Sequence, residues 1–235
     1  MMISGAIFDL DGVISKTEVL HALAWKELFD NFLKVSLSAD EFLEFDLEED
    51  YLKYVDGRPR LEGINTFLAS RSIKLEQGDN NSAADFSTVT GLGLIKDELF
   101  RKVLFEKGVD LYSSTILLID KLASFDVPLF VASSSKNCRR VLEVSGLMNK
   151  FLSIFDGVDL EKFGLKGKPH PDLFLRVIDG FNIKPKDCVV FEDSLAGVIS
   201  AISGGFYTVG IDRATNSEYF KKEKAVSPEV VTIRL

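Results

Sequence analysis

Four short runs in this chain are apolar at nearly every position: residues 6–8, 127–132, 188–191 and 206–211. A strand with one wet face alternates apolar and polar residues, so continuous runs of this length describe strands buried on both faces. Stretches with helical spacing follow the second and third runs, through Val141 and Leu142 and through Ala196 and Val198, and another lies at Leu173, Phe174 and Val177. Strand–helix alternation of this kind specifies a parallel sheet covered by helices, with functional loops gathered at the carboxyl ends of the strands. The residues at those ends are therefore the informative ones.

The first run ends in Asp9-Leu10-Asp11-Gly12. Residues two apart on an extended chain point the same way, so Asp9 and Asp11 can address one point beyond the strand, and Gly12 permits a turn. Two close carboxylates repel unless a cation neutralises them or they share a proton. A plain strand followed by an Asp-Gly turn fits this stretch equally well. The second run ends in Ser133-Ser134-Ser135-Lys136-Asn137 and the third in Glu192-Asp193-Ser194, with Gly167-Lys168-Pro169 in a loop between them. Each is ordinary capping or surface chemistry alone; together, all at strand ends, they make a cluster of carboxylates, a hydroxyl and an ammonium.

From residue 16 to about 109 the pattern is helical, without a convincing strand. Leu20, Leu23, Ala24, Leu28 and Phe32 form an apolar stripe, with Thr17, His21 and Trp25 in a column beside it. Residues 36–56 read as short helices with an acidic solvated face. Arg58 and Arg60 flank a proline and either clamp an anion or pair with nearby carboxylates. Lys96 reads as the opening of a helix continuing through Leu99, Phe100 and Val103.

The formal charge of −8 argues against general nucleic-acid binding, though a local cluster of Lys and backbone N–H still suits an anion. No signal peptide or membrane-length apolar run is visible, and two cysteines, Cys138 and Cys188, imply no disulfide framework. The expectation is a cytoplasmic monomer without nucleic-acid or membrane partners. Cys188 is expected to be inert, and Cys138, near a helix start, modestly reactive.

Asp9-Leu10-Asp11-Gly12-Val13, the Ser133 strand end, Gly167-Lys168-Pro169 and Phe191-Glu192-Asp193-Ser194 resemble the four motifs of the haloacid dehalogenase superfamily. The likeness is greatest to its β-phosphoglucomutase branch, through residues 9–14, Thr17, His21, Trp25 and Lys26 and through Ser133, Ser135, Lys136 and Asn137. The resemblance implies a Rossmann-like α/β core formed by residues 1–15 and 110–235, with an inserted all-helical cap at 16–109. It implies Mg2+-dependent phosphoryl transfer on a small sugar phosphate through an aspartyl phosphate, either as a mutase or as a sugar phosphatase. Asp9, Asp11, Ser133 and Lys168 would be catalytic. Asp9, Asp11, Glu192 and Asp193 would hold Mg2+, Asp11 through its backbone carbonyl and Glu192 in or near the second rank of ligands. Thr17, His21, Lys96, Ser135, Lys136 and Asn137 would bind substrate. One departure is Lys16, where the superfamily usually carries an acidic residue.

Overall fold

A computed structural model describes residues 3–55, 60–79, 81–212 and 230–234. The chain divides into two compact units: Met1–Thr17 with Val109–Leu235, and Glu18–Gly108.

The first unit is built on a six-stranded sheet in which every recorded pairing is parallel. Its strands are β1 (Gly5–Phe8), β2 (Leu129–Ala132), β3 (Ser153–Phe155), β4 (Cys188–Glu192), β5 (Tyr207–Asp212) and β6 (Val230–Arg234), in spatial order β3-β2-β1-β4-β5-β6. All residues of β1, β2 and β4 are buried, as continuous apolar runs require. The helices of this unit are α4 (Ser113–Ala123), α5 (Cys138–Val144), α6 (Gly157–Phe163), α7 (Asp172–Val177) and α8 (Leu195–Ser203). Leu173, Phe174 and Val177 of α7 and Ala201 of α8 pack with Ile7, Phe130 and Val190 of the sheet. The strand order reverses direction between β1 and β4. In open α/β sheets the crevice outside the carboxyl ends at such a switch point is where ligands bind.

The second unit contains α1 (Thr17–Ser36, whose first residue belongs to the first unit), α2 (Arg60–Ser70), α3 (Val89–Lys107) and a π-helical turn at Tyr51–Val55. Its core is aromatic: Phe29 lies 4.0 Å from Phe67, 5.2 Å from Phe45 and 5.3 Å from Trp25, centroid to centroid. Among its described residues the only extended pairing is an isolated bridge, Glu76 to Thr88. No helix of the described residues is long and apolar enough to cross a membrane.

The structure corrects two expectations and decides between the two readings of Arg60. Lys96 does not open α3; it lies in the middle, buried, and the helix begins at Val89, where the Thr88 hydroxyl accepts from Gly91 N–H at 3.0 Å. Gly91 and Gly93 have poor helix propensity and disguise that start. The acidic segment 37–48 is turns and irregular chain, with helical structure among the described residues of 37–55 only from Glu49 through Val55. Arg60 takes the second of its two readings, pairing with a carboxylate: it ion-pairs with Asp97 at 2.7 Å and donates to the Gly93 carbonyl at 3.2 Å. Arg58 lies outside the described residues.

Candidate active site

The switch point brings four carboxylates and one ammonium together. Asp9 directly follows β1, and its backbone N–H donates to the Phe191 carbonyl of β4 at 3.0 Å. Glu192 is the last residue of β4 and fully buried. Lys168 reaches between them from the loop before α7: its Nζ donates to Asp9 Oδ1 at 2.5 Å and also to Glu192 Oε1. Its ammonium also lies 5.2 Å from the centroid of the Phe174 ring. The Lys168-Pro169 peptide is cis.

The remaining carboxylates are held by short turns. The Asp11 carboxylate accepts from the Thr17 hydroxyl, and Ser15 and Thr17 hydroxyls lie 3.3 Å apart. The chain turns back through Gly12 N–H to the Ser15 carbonyl, 2.9 Å, with Gly12 at φ +76°, a left-handed conformation that suits only glycine. Asp193 lies against Gly12; a Cβ there would fall 1.9 Å from Asp193 Oδ2.

Glu192 uses both oxygens within the protein. Oε1 takes Lys168, and Oε2 accepts the Ser194 N–H at 2.6 Å and its hydroxyl at 2.9 Å. Ser194 in turn caps α8, its hydroxyl accepting from Gly197 N–H at 3.1 Å.

Burial dominates the electrostatics. It pushes the Asp9 pKa up to about 8; Lys168 opposes that rise, while Glu192 and Asp11 add to it. Burial, then Glu192 and Asp9, likewise raise Asp193 well above the carboxylate range. Burial alone would depress Lys168, but Asp9 and Glu192 outweigh it and hold its pKa above the ordinary 10.5.

At the end of β2 the Ser133 hydroxyl accepts from Ser135 N–H at 3.1 Å, and the Ser135 hydroxyl from Asn137 N–H at 3.2 Å. Ser133 is buried and its N–H donates to the Phe155 carbonyl of β3. Because the Ser133 oxygen accepts, its proton remains available to a ligand oxygen. Lys136 is occupied elsewhere: it pairs with Glu161 at 2.8 Å, half exposed. Cys138 is buried, and burial with the Asp11, Asp156 and Asp9 charges raises its thiol pKa, the reverse of the expected helix-start activation. Burial pushes the Cys188 thiol up to about 12.

The helical unit holds the other pair singled out from sequence. Lys96 Nζ lies 2.5 Å from His21 Nδ1 and over the faces of Trp25 and Phe100, 5.0 and 5.2 Å from their centroids. His21 stacks on Phe100 at 4.2 Å. Burial, then Lys96 and Arg60, lower the His21 pKa well below 6.5, so the ring is neutral and its Nδ1 accepts.

Among the described residues no three His, Cys, Asp or Glu side chains stand in metal-holding geometry. The donor set still suits a hard divalent cation. Asp9 and Asp193 offer carboxylate oxygens, and the pKa values of both are raised by burial and by neighbouring carboxylate charge that a bound cation would offset.

A family model described as haloacid dehalogenase-like hydrolase matches residues 3–205. The chain belongs to that family and is an enzyme. It is 36% identical over 214 residues to the beta-phosphoglucomutase of Mycobacterium tuberculosis, covering 90% of this chain and 82% of that one. It is 28% identical over 208 residues to a phosphorylated carbohydrates phosphatase of Thermotoga maritima, covering 85% and 80%. The crystal structure of a beta-phosphoglucomutase from Clostridium difficile superposes with a TM-score of 0.69 at 25% identity, covering 96% of this chain and all of that one.

Proposed function

We propose that this enzyme transfers a phosphoryl group on a small sugar phosphate through a phosphorylated Asp9, moving it between positions of a hexose. The observation that carries this reading is the part-buried Lys168 ammonium bonded at once to Asp9 and Glu192 at the sheet's switch point. The likeness to beta-phosphoglucomutases supports the choice of sugar.

In this reading an Asp9 oxygen attacks phosphorus, the bond to the ester oxygen breaks, and the departing oxygen takes a proton from the Asp11 carboxyl. Asp11 then takes a proton from the acceptor hydroxyl as that oxygen attacks phosphorus, and Asp9 is released. Lys168 offsets charge on the transferring group, and the Ser133 hydroxyl and nearby backbone N–H groups bind its oxygens. Thr17 orients Asp11. Asp9, Asp193 and the Asp11 carbonyl would hold Mg2+, while Glu192, with both oxygens engaged, positions Lys168. Mg2+, when bound, supplies positive charge to the phosphoryl oxygens and orients them.

What separates a mutase from a phosphatase is the acceptor. We assign that choice to Lys96 and His21 of the helical unit; separately, Ser135 and Asn137 of the α/β unit would serve a second phosphate. Simple hydrolysis is the second reading, favoured by the Thermotoga maritima relative. The test is a panel of small phosphate esters with Mg2+, including β-glucose 1-phosphate with and without a hexose bisphosphate primer. Primed formation of glucose 6-phosphate supports the mutase. Release of inorganic phosphate alone, primed or not, moves the hydrolytic reading ahead.

A further inference from the structure

Gly197 sits in the first turn of α8, where a glycine costs helix stability relative to alanine. Its backbone does not demand glycine, unlike that of Gly12, whose positive φ does. What occupies the missing side chain's place is the Glu192 carboxylate. A Cβ at Gly197 would fall 1.8 Å from Glu192 Oε1, 2.0 Å from its carboxyl carbon and 2.6 Å from Oε2. No rotation of the methyl relieves an overlap of that size, because the Cβ itself causes it. The carboxylate would have to move, and both of its oxygens are committed: one to Lys168, the other to Ser194, which also caps the helix bearing Gly197.

We infer that Gly197 is a positioning residue for phosphoryl transfer: its bare α-carbon is the seat of Glu192, and through Glu192 it fixes the Lys168 ammonium against Asp9. The inference rests on the proposed role of Lys168. The path is short, buried at Gly197, Glu192 and Asp9 and part-buried at Lys168. Gly197 gives room to the Glu192 carboxylate, Glu192 Oε1 accepts from Lys168 Nζ, and the same Nζ donates to Asp9 Oδ1. A methyl at 197 pushes Glu192 away from its site and carries Lys168 with it. A displacement of about 1 Å in such a group costs on the order of 10²-fold in turnover.

The test is a double-mutant cycle between Gly197→Ala and Glu192→Asp, read as Mg2+-dependent hydrolysis of p-nitrophenyl phosphate, with the melting temperature of each variant measured in parallel. The aspartate of Glu192→Asp is one methylene shorter, so its carboxylate withdraws from the space above residue 197. Gly197→Ala should therefore lower kcat about 10²-fold in the Glu192 background and less than threefold in the Glu192→Asp background. Equal losses in both backgrounds overturn the inference, as does a Gly197→Ala enzyme with wild-type kcat. If Gly197→Ala alone fails to fold, the comparison of the double variant with Glu192→Asp decides: equal kcat supports the seat, and a tenfold or larger further loss contradicts it. Lys168→Met separates the two claims. A Lys168→Met enzyme with undiminished kcat removes the catalytic reading of Lys168, whereas loss there with an additive cycle removes only the role of Gly197.

Discussion

A part-buried lysine, Lys168, and a buried one, Lys96, show two ways of holding an ammonium away from water. Lys168 of the α/β unit is bonded to two carboxylates inside a cluster that is acidic overall. Lys96 of the helical unit is held by the neutral His21 ring and the faces of Trp25 and Phe100. Carboxylates hold the first as a fixed charge, locked in geometry. The second stands against a neutral imidazole and two aromatic faces, whose quadrupoles attract a cation. In the proposed function the first stands still beside Asp9, and the second meets an anionic ligand.

The largest effect expected from this contrast falls on Asp9, the proposed nucleophile. Asp9→Asn should leave the fold intact and lower turnover at least ~10³-fold, with substrate panel and circular dichroism as the readouts. Next come the lysines. Lys168→Met should impair mutase turnover and hydrolysis of a small aryl phosphate alike. Lys96→Ala should weaken bisphosphate binding by about 1.5–3 kcal/mol, the range for hydrogen bonds to charged groups, and spare aryl phosphate hydrolysis. Equal damage to both reactions by Lys96→Ala would erase the distinction between the two units.

The pH dependence of stability sharpens the same contrast, because the two regions have opposite signs. His21 binds a proton below 6.5 when unfolded but not when folded, so its contribution is lost as pH falls through that value. Asp9 is the reverse: without metal, the folded state holds a proton between 3.8 and about 8 that the unfolded state has released, so stability falls as pH rises across that window. Melting in the presence of chelator should show both slopes. His21→Gln should flatten the acid limb, and Asp9→Asn should reduce the decline toward pH 8, Asp193 keeping its own share of that slope. The smallest effect concerns the thiols: Cys138 and Cys188 should resist alkylation in the native protein at mildly alkaline pH, and Cys138→Ala with Cys188→Ala should retain turnover. Rapid native-state labelling of Cys138 would contradict its elevated pKa.

The strands with continuous apolar sequence were legible, and so were the residues at their ends. β3 was not: three residues, Ser153–Phe155, are too few to show a period. α6 was missed because Gly157 reads as a breaker, although Asp156 and Asp159 form a capping box around its start. The true start of α3 was hidden by its glycines. Among the candidate site residues, sequence placed Asp9, Lys168 and Glu192 at strand ends or a loop, and the fold joins them by hydrogen bonds across as many as 159 residues of chain. The seating of Glu192 on Gly197 depends on a side chain that is absent, which no pattern of chemical groups discloses. The exposed ion pair of Lys136 with Glu161 is equally invisible to a reading of either segment alone.

The central claim is that the phosphoryl group passes through Asp9. Acid quenching during Mg2+-dependent turnover of a hexose phosphate, followed by peptide mass spectrometry, tests it most directly. The account predicts one phosphoryl group on the peptide containing Asp9, lost on alkaline treatment and absent from Asp9→Asn. Turnover at full rate with that peptide unmodified throughout, or with Asp9→Asn as active as the wild type, would contradict it.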